Sequence, residues 1–244
     1  MAAAFVSQQY LQNVLGYSTV EAGASILPAI VFMVLVAPRS AKLVEAKGAR
    51  FTLLGGYLFL LLAFLSMFLL WQEDSAYWEV GIAYLFIGVG VGLAGTPASH
   101  SLTGSVPVRR AGMASGTADL QRDLGGALLT SIFGALLAAG YASAMGAAIA
   151  ASPDADKVTD STQSQLQLSY ASAENLAAQN PKFADQITAA AQQSFLDGDQ
   201  WAYLAAMGAV VIGMALVFFL FPRKDDEFAL RAEYHSQDTE ASRG

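Results

Sequence analysis

The sequence predicts an all-α integral membrane protein with about five full transmembrane helices and the end of a sixth. Three observations carry that prediction. Only 14% of the 244 residues are charged, against about 25% in an average soluble domain. Apolar residues make up 55% of the chain and the mean hydropathy is +0.43. Those residues are gathered into runs near the ~20 residues that a helix needs to cross a bilayer, with polar connectors between them.

Composition also excludes several classes of function. No cysteine occurs, so neither a disulfide framework nor a thiolate metal site is expected. The two histidines, His100 and His235, lie far apart in the sequence, and no metal-ligand spacing is present. Neither a nucleotide-binding glycine loop nor a hydrolytic triad pattern appears. The chain is therefore not expected to be an enzyme or to hold a cofactor. Without a basic patch interleaved with aromatics, nucleic acid is not an expected partner; membrane lipid is. The net charge of −7 matters less than where the charges fall.

Residues 1–17 read as the end of a preceding membrane helix and a polar outer corner. They have no basic leader region and no clear cleavage site. Gln8, Tyr10 and Gln12 are candidates for an outer mouth; the alternative is that they only satisfy a helix end. Residues 18–150 hold four transmembrane helices. The first span is Ala22 to Pro38, with Pro28 inside it as an expected kink. The connector 39–50 sets Arg39, Lys42, Lys47 and Arg50 against Glu45. The second span is Phe51 to Trp71. An acidic stretch follows, flanked by Trp71, Tyr77 and Trp78 as an interfacial aromatic belt would be. The third span, Val80 to Pro97, carries Gly88 and Gly92 at a spacing that lets another helix come close. The polar connector 98–110 contains His100. The fourth helix starts near Gly112 and runs to about Ala147, longer than one span requires.

The fourth helix opens on an acid–base cluster. Asp119 and Asp123 are four residues apart and share a helix face, with Arg122 beside them. Gly112, Gly116 and Gly126 fall near that face, and Gly125 adjoins it, so helix packing is expected at all four. An ionised side chain at the bilayer centre costs ~2.5–3.5 kcal/mol even on lenient insertion scales. Asp119, Arg122 and Asp123 are therefore candidates for a proton or substrate pathway. The structural alternative places all three at an interface, because the apolar run from Leu124 to Ala147 is long enough to span by itself.

Residues 151–200 form an acidic insert, with Lys157 and Lys182 against seven acids. Phe183, Ile187, Ala191 and Phe195 recur every fourth residue. One or two short amphipathic helices are expected there, or else a solvated loop. The last transmembrane helix is 201–222 and a polar tail closes the chain at 223–244. The connectors at 39–50 and 98–112 and the tail hold four, two and four of the thirteen Lys and Arg residues. Basic and acidic connectors alternate, so the chain start is expected outside and the C-terminus in the cytoplasm. One more helix before residue 1 would give six spans with both ends inside. Six spans is half of a common transporter architecture, so a C-terminal part of a longer transporter, or a truncated product, is expected.

Three stretches resemble drug:proton antiporters of the major facilitator superfamily, in the fourteen-span multidrug efflux subfamily. In QQYLQNVLGYSTVEAGASILP, Tyr10, Leu11, Gln12, Val14 to Ser18, Ala22, Gly23, Leu27 and Pro28 match the family pattern, and Thr19 replaces its proline. The 39–50 connector resembles a degraded form of the superfamily's cytoplasmic loop. There Leu43, Gly48 and Arg50 match, Ala41 stands for a glycine, and Glu45 stands for an aspartate. RAGMASGTADLQRDLGGAL resembles a third family stretch through Arg110 to Gly112, Ala114 to Gly116, Arg122 and Leu124 to Gly126. Asp123 and Asp119 depart from a glutamine and an asparagine. The resemblance implies the C-terminal six-helix bundle of an exporter that moves a small amphipathic substrate outward across the plasma membrane. A proton gradient would supply the energy and an N-terminal half would be the partner. It also implies that Lys42, Glu45, Gly48 and Arg50 form a cytoplasmic charge relay. A different class of reading stays open: a non-transporting membrane module, or a half-transporter that needs another half.

Overall fold

The computed structural model describes residues 2–103 and 111–222, and every regular element among them is helical. In order these are α1 (Ala2–Asn13), α2 (Thr19–Ala24), α3 (Leu27–Lys47), α4 (Ala49–Leu70), α5 (Tyr77–Thr103), α6 (Ala111–Ala151), a 3-10 turn (Ala155–Lys157), α7 (Asp160–Leu168), α8 (Tyr170–Gln179) and α9 (Ala184–Leu220). Arg109, Arg110 and the tail 223–244 lie outside the described residues.

Five stretches are long and apolar enough to cross a membrane: Thr19–Lys47, Ala49–Leu70, Tyr77–Ala98, Gly112–Ala151 and Ala184–Leu220. Val34, Leu58, Ile132, Ile212 and Phe219 stand exposed on them, Phe219 by 78%. Apolar surface on this scale suits hydrocarbon and not water.

Several boundaries differ from the sequence reading, each for a physical reason. Pro28 falls where the first span, Thr19–Lys47, is interrupted. It occupies the first turn of α3, after a break at Ser25 and Ile26, where its missing N–H is not needed. Ser18 and Glu21 form a reciprocal capping box that starts α2. The proline inside α3 is instead Pro38. The 39–50 connector is helix up to Lys47, and Gly48 is the one residue between α3 and α4. At φ 89° and ψ 161°, Gly48 adopts a conformation open almost only to glycine. His100 falls within α5 and not in a loop. Finally, no break separates insert from last span, because α9 runs unbroken through residue 200.

The chain divides into two compact units. The first comprises 1–25, 67–80 and 126–206. In it α6 and α9 meet at Gly140 and Gly198. A Cβ added to Gly198 would lie 2.7 Å from the Leu137 carbonyl oxygen and 2.9 Å from the Tyr141 nitrogen. Ala191, Phe195, Ala202 and Ala206 of α9 are buried around this contact. Tyr141 donates its hydroxyl proton to the Leu166 carbonyl at 3.0 Å, which ties the end of α7 to α6.

The second unit comprises 26–66, 81–125 and 207–244. Its centre is the glycine run of α5. Gly88 abuts the backbone of Ala29, and Gly92 that of Met33, both on α3. Gly90, on the opposite side of the turn, abuts Gly56 and Leu60 of α4. Glycines at i and i+4 serve one neighbour and the glycine at i+2 serves the other, as helical periodicity dictates. Ser40 of α3 donates to the Leu93 carbonyl at 2.9 Å.

Candidate functional site

The α6 cluster forms as the i, i+3 spacing allows. Arg122 Nη1 donates to Asp119 Oδ1 at 2.9 Å, and both side chains are about 60% exposed. Asp123 is exposed beside them. The cluster is therefore an open charged face on a helix whose later turns carry exposed Leu124, Leu128 and Ile132. Among the described residues a Cβ at Gly112, Gly116 or Gly125 would meet no atom within 4 Å, so the packing expected there is not made by them; Gly126 is half-buried.

At the α3–α4 junction, Lys42 and Glu45 are exposed. Among the described residues Glu45 forms no ion pair with Lys42 or Arg50. Arg50 turns away, donating to the Phe218 carbonyl with its guanidinium 4.8 Å from the centre of the Phe218 ring. Lys42 and Glu45 are three residues apart on α3, a spacing that would allow them to pair, but both side chains stand open and unpaired with each other.

The three residues expected at the outer mouth separate. Gln8 donates to the Ala22 carbonyl at 2.9 Å and so satisfies the end of α2. Gln12 is exposed and donates to the Gln8 carbonyl at 3.3 Å. Tyr10 lines no mouth: it is fully buried. Its hydroxyl donates to the Gln72 carbonyl at 2.6 Å and its ring stacks on Trp71 at 4.6 Å.

Tyr10 leads to a group that the sequence reading passed over. Trp71 meets Tyr203 edge-on at 6.1 Å, and the Tyr203 hydroxyl donates to Asp199 Oδ2 at 3.4 Å. Asp199 is 1% exposed, and its Oδ1 has no hydrogen-bond partner among the described residues. It follows Gly198, so the close crossing of α6 shuts it in. The signal lay in the sequence. The every-fourth stripe Phe183, Ile187, Ala191, Phe195 continues to Asp199 and Tyr203, and Asp199 is the charged member of an otherwise uncharged helix stripe.

A cavity of about 250 Å³ lies between the end of α6, the start of α9 and the two short helices α7 and α8, lined chiefly by Met145, Ile149, Leu166, Leu176 and Ile187. Lys157, paired with Asp154 at 2.5 Å, also borders it. Among the described residues no group of three His, Cys, Asp or Glu is placed to hold a metal ion.

A family model described as Major Facilitator Superfamily matches residues 1–130. The chain is 37% identical over 134 residues to the multidrug resistance protein Stp of Mycobacterium tuberculosis, a match that covers 55% of this chain and 25% of that protein. It is 28% identical over 134 residues to the quinolone resistance protein NorB of Staphylococcus aureus, covering 54% of this chain and 29% of that protein. The chain thus spans about a quarter of the length of these relatives. The matched residues 1–130 take in α1 to α5 and the start of α6.

Proposed function

The chain belongs to the Major Facilitator Superfamily, and from that premise we propose that it forms most of the second half of an exporter of drug-like or lipophilic compounds driven by proton entry. The observation that carries the reading is the likeness over 134 residues to proteins named for multidrug and quinolone resistance. It acts in the plasma membrane, with its start outside and its C-terminus in the cytoplasm. The alternation of basic and acidic connectors supports that orientation.

On this reading the exposed face of α6 is the inner wall of the transport path, and the N-terminal half covers it. The support is energetic. Asp119, Arg122 and Asp123 all stand open, and charges on a lipid-facing surface carry the penalty given above. A polar path or a facing half removes that penalty.

The test uses inverted membrane vesicles containing the chain, with and without an N-terminal half of the same family, and an imposed pH gradient. Adding a lipophilic cation dye should draw protons across only when both halves are present. Asp119→Asn should lower that flux at least tenfold at equal protein level. Flux that is absent with both halves present, over a panel of amphipathic compounds, refutes the reading.

A further inference from the structure

We infer that Asp199 is a proton-binding carboxyl at the α6–α9 crossing, exchanging one proton through its Oδ1. The site itself follows from geometry; its use in coupling rests on the function proposed above.

A carboxylate removed from water and left without a cation is strongly disfavoured, whereas the neutral acid carries no charge to solvate. Asp199 meets that condition: it is 1% exposed. Among the described residues no lysine or arginine forms an ion pair with it. Tyr203 of its own helix donates to Oδ2, and at the preceding residue Gly198 the crossing brings up the Leu137 oxygen and the Tyr141 nitrogen of α6. Tyr10 of α1 stacks on Trp71, which meets Tyr203 edge-on. None of these groups carries a positive charge, so only the neutral acid leaves Oδ1 without need of a partner.

The two oxygens are not equivalent. Oδ2 accepts from Tyr203 in either protonation state. Oδ1 is bare and is the atom that can carry the proton. On release the Oδ1–H bond breaks and the proton passes to water. The carboxylate left behind then needs water or a cation at that oxygen. Movement of α9 against α6 at the glycine crossing is the event that would admit one. Asp199 is thus distinct from the exposed α6 acids, which solvent reaches without any rearrangement.

Infrared spectroscopy of the full chain in detergent tests this directly, through the carbonyl stretch of a protonated carboxylic acid. At pH 6 exposed aspartates and glutamates, with ordinary values near ~3.9 and ~4.3, are ionised. One acid band is expected at that pH. It should shift in D2O, vanish in Asp199→Asn and persist when exposed Asp185 is changed to Asn. Tyr203→Phe should move the band, because the hydrogen bond to Oδ2 is lost. The inference is overturned by an absent band at pH 6 in the unaltered chain, by a band that never exchanges in D2O, or by one that Tyr203→Phe leaves unmoved. A band that behaves as expected without dye-driven proton flux would sink the exporter reading and leave this site standing. Flux without the band would do the reverse.

Discussion

Replacing Gly198 with alanine puts one methyl group where two helix backbones already touch. The added Cβ would lie 2.7 Å from the Leu137 oxygen and 2.9 Å from the Tyr141 nitrogen. Both are backbone atoms and neither can rotate aside, so α6 and α9 must part by roughly 0.5–1 Å. A gap of that size forfeits about a quarter to a half of each dispersion contact along the seam. Overpacking of this kind costs about 1–3 kcal/mol, and the better helix propensity of alanine returns ~1 kcal/mol. Gly198→Ala should therefore destabilise by about 1 kcal/mol, and Gly198→Val by ~3 kcal/mol because valine brings more bulk and less propensity. Gly125→Ala meets nothing within 4 Å and should be neutral or stabilising by up to ~1 kcal/mol. Reversible unfolding in mixed micelles, followed by helical circular dichroism, measures all three. Gly140→Ala strains the same crossing, since its Cβ would fall 2.7 Å from the Gly198 Cα. The double variant should cost less than the sum of the singles, because the helices have already parted. Gly198→Val as stable as the unaltered chain would refute the crossing.

Two further outcomes follow from single residues. Gly48→Ala forces a side chain into a backbone region kept by glycine, and should cost about 1–3 kcal/mol in the same assay; equal stability would mean the junction relaxes freely. Tyr170 in α8 has its hydroxyl pKa raised above the ordinary 10.0, first by burial and then by Glu174, against a lowering hydrogen bond with Gln192. The folded protein therefore holds this proton more tightly than the unfolded chain does. The stabilisation is complete below pH 10 and is lost as pH rises through the higher folded value. Alkaline unfolding should begin at higher pH in Tyr170→Phe than in the unaltered chain, and identical curves would contradict the burial.

The number and order of the long helices were legible because hydrophobic run length is a direct readout of span length. Gly88 and Gly92 were legible as a pair, since i, i+4 glycines can serve only one neighbouring helix. What ran short were ends and exceptions. A drop in hydropathy after Gln200, read backwards along the chain, marks where apolar residues stop; it does not mark where the helix stops. Helix hydrogen bonds are internal to the segment, so α9 continues through polar sequence and carries Asp199 with it. Tallied with six other acids as part of an insert, Asp199 looked like solvated charge. Only the α6 crossing at Gly140, some sixty residues earlier, turns it inward. Tyr10 failed as a mouth residue for a similar reason: the aromatic belt reading put Trp71 at an interface, while stacking between the two rings buries both.

The one-residue joint at Gly48 has a mechanical consequence. With no slack between α3 and α4, neither can slide or twist without dragging the other, so the hairpin behaves as a single stiff part. Its two arms pack against glycines on different sides of α5, and its elbow is latched to the Phe218 carbonyl by Arg50. Extra residues inserted at that elbow would act like play in a hinge, blunting any motion the hairpin is meant to pass on.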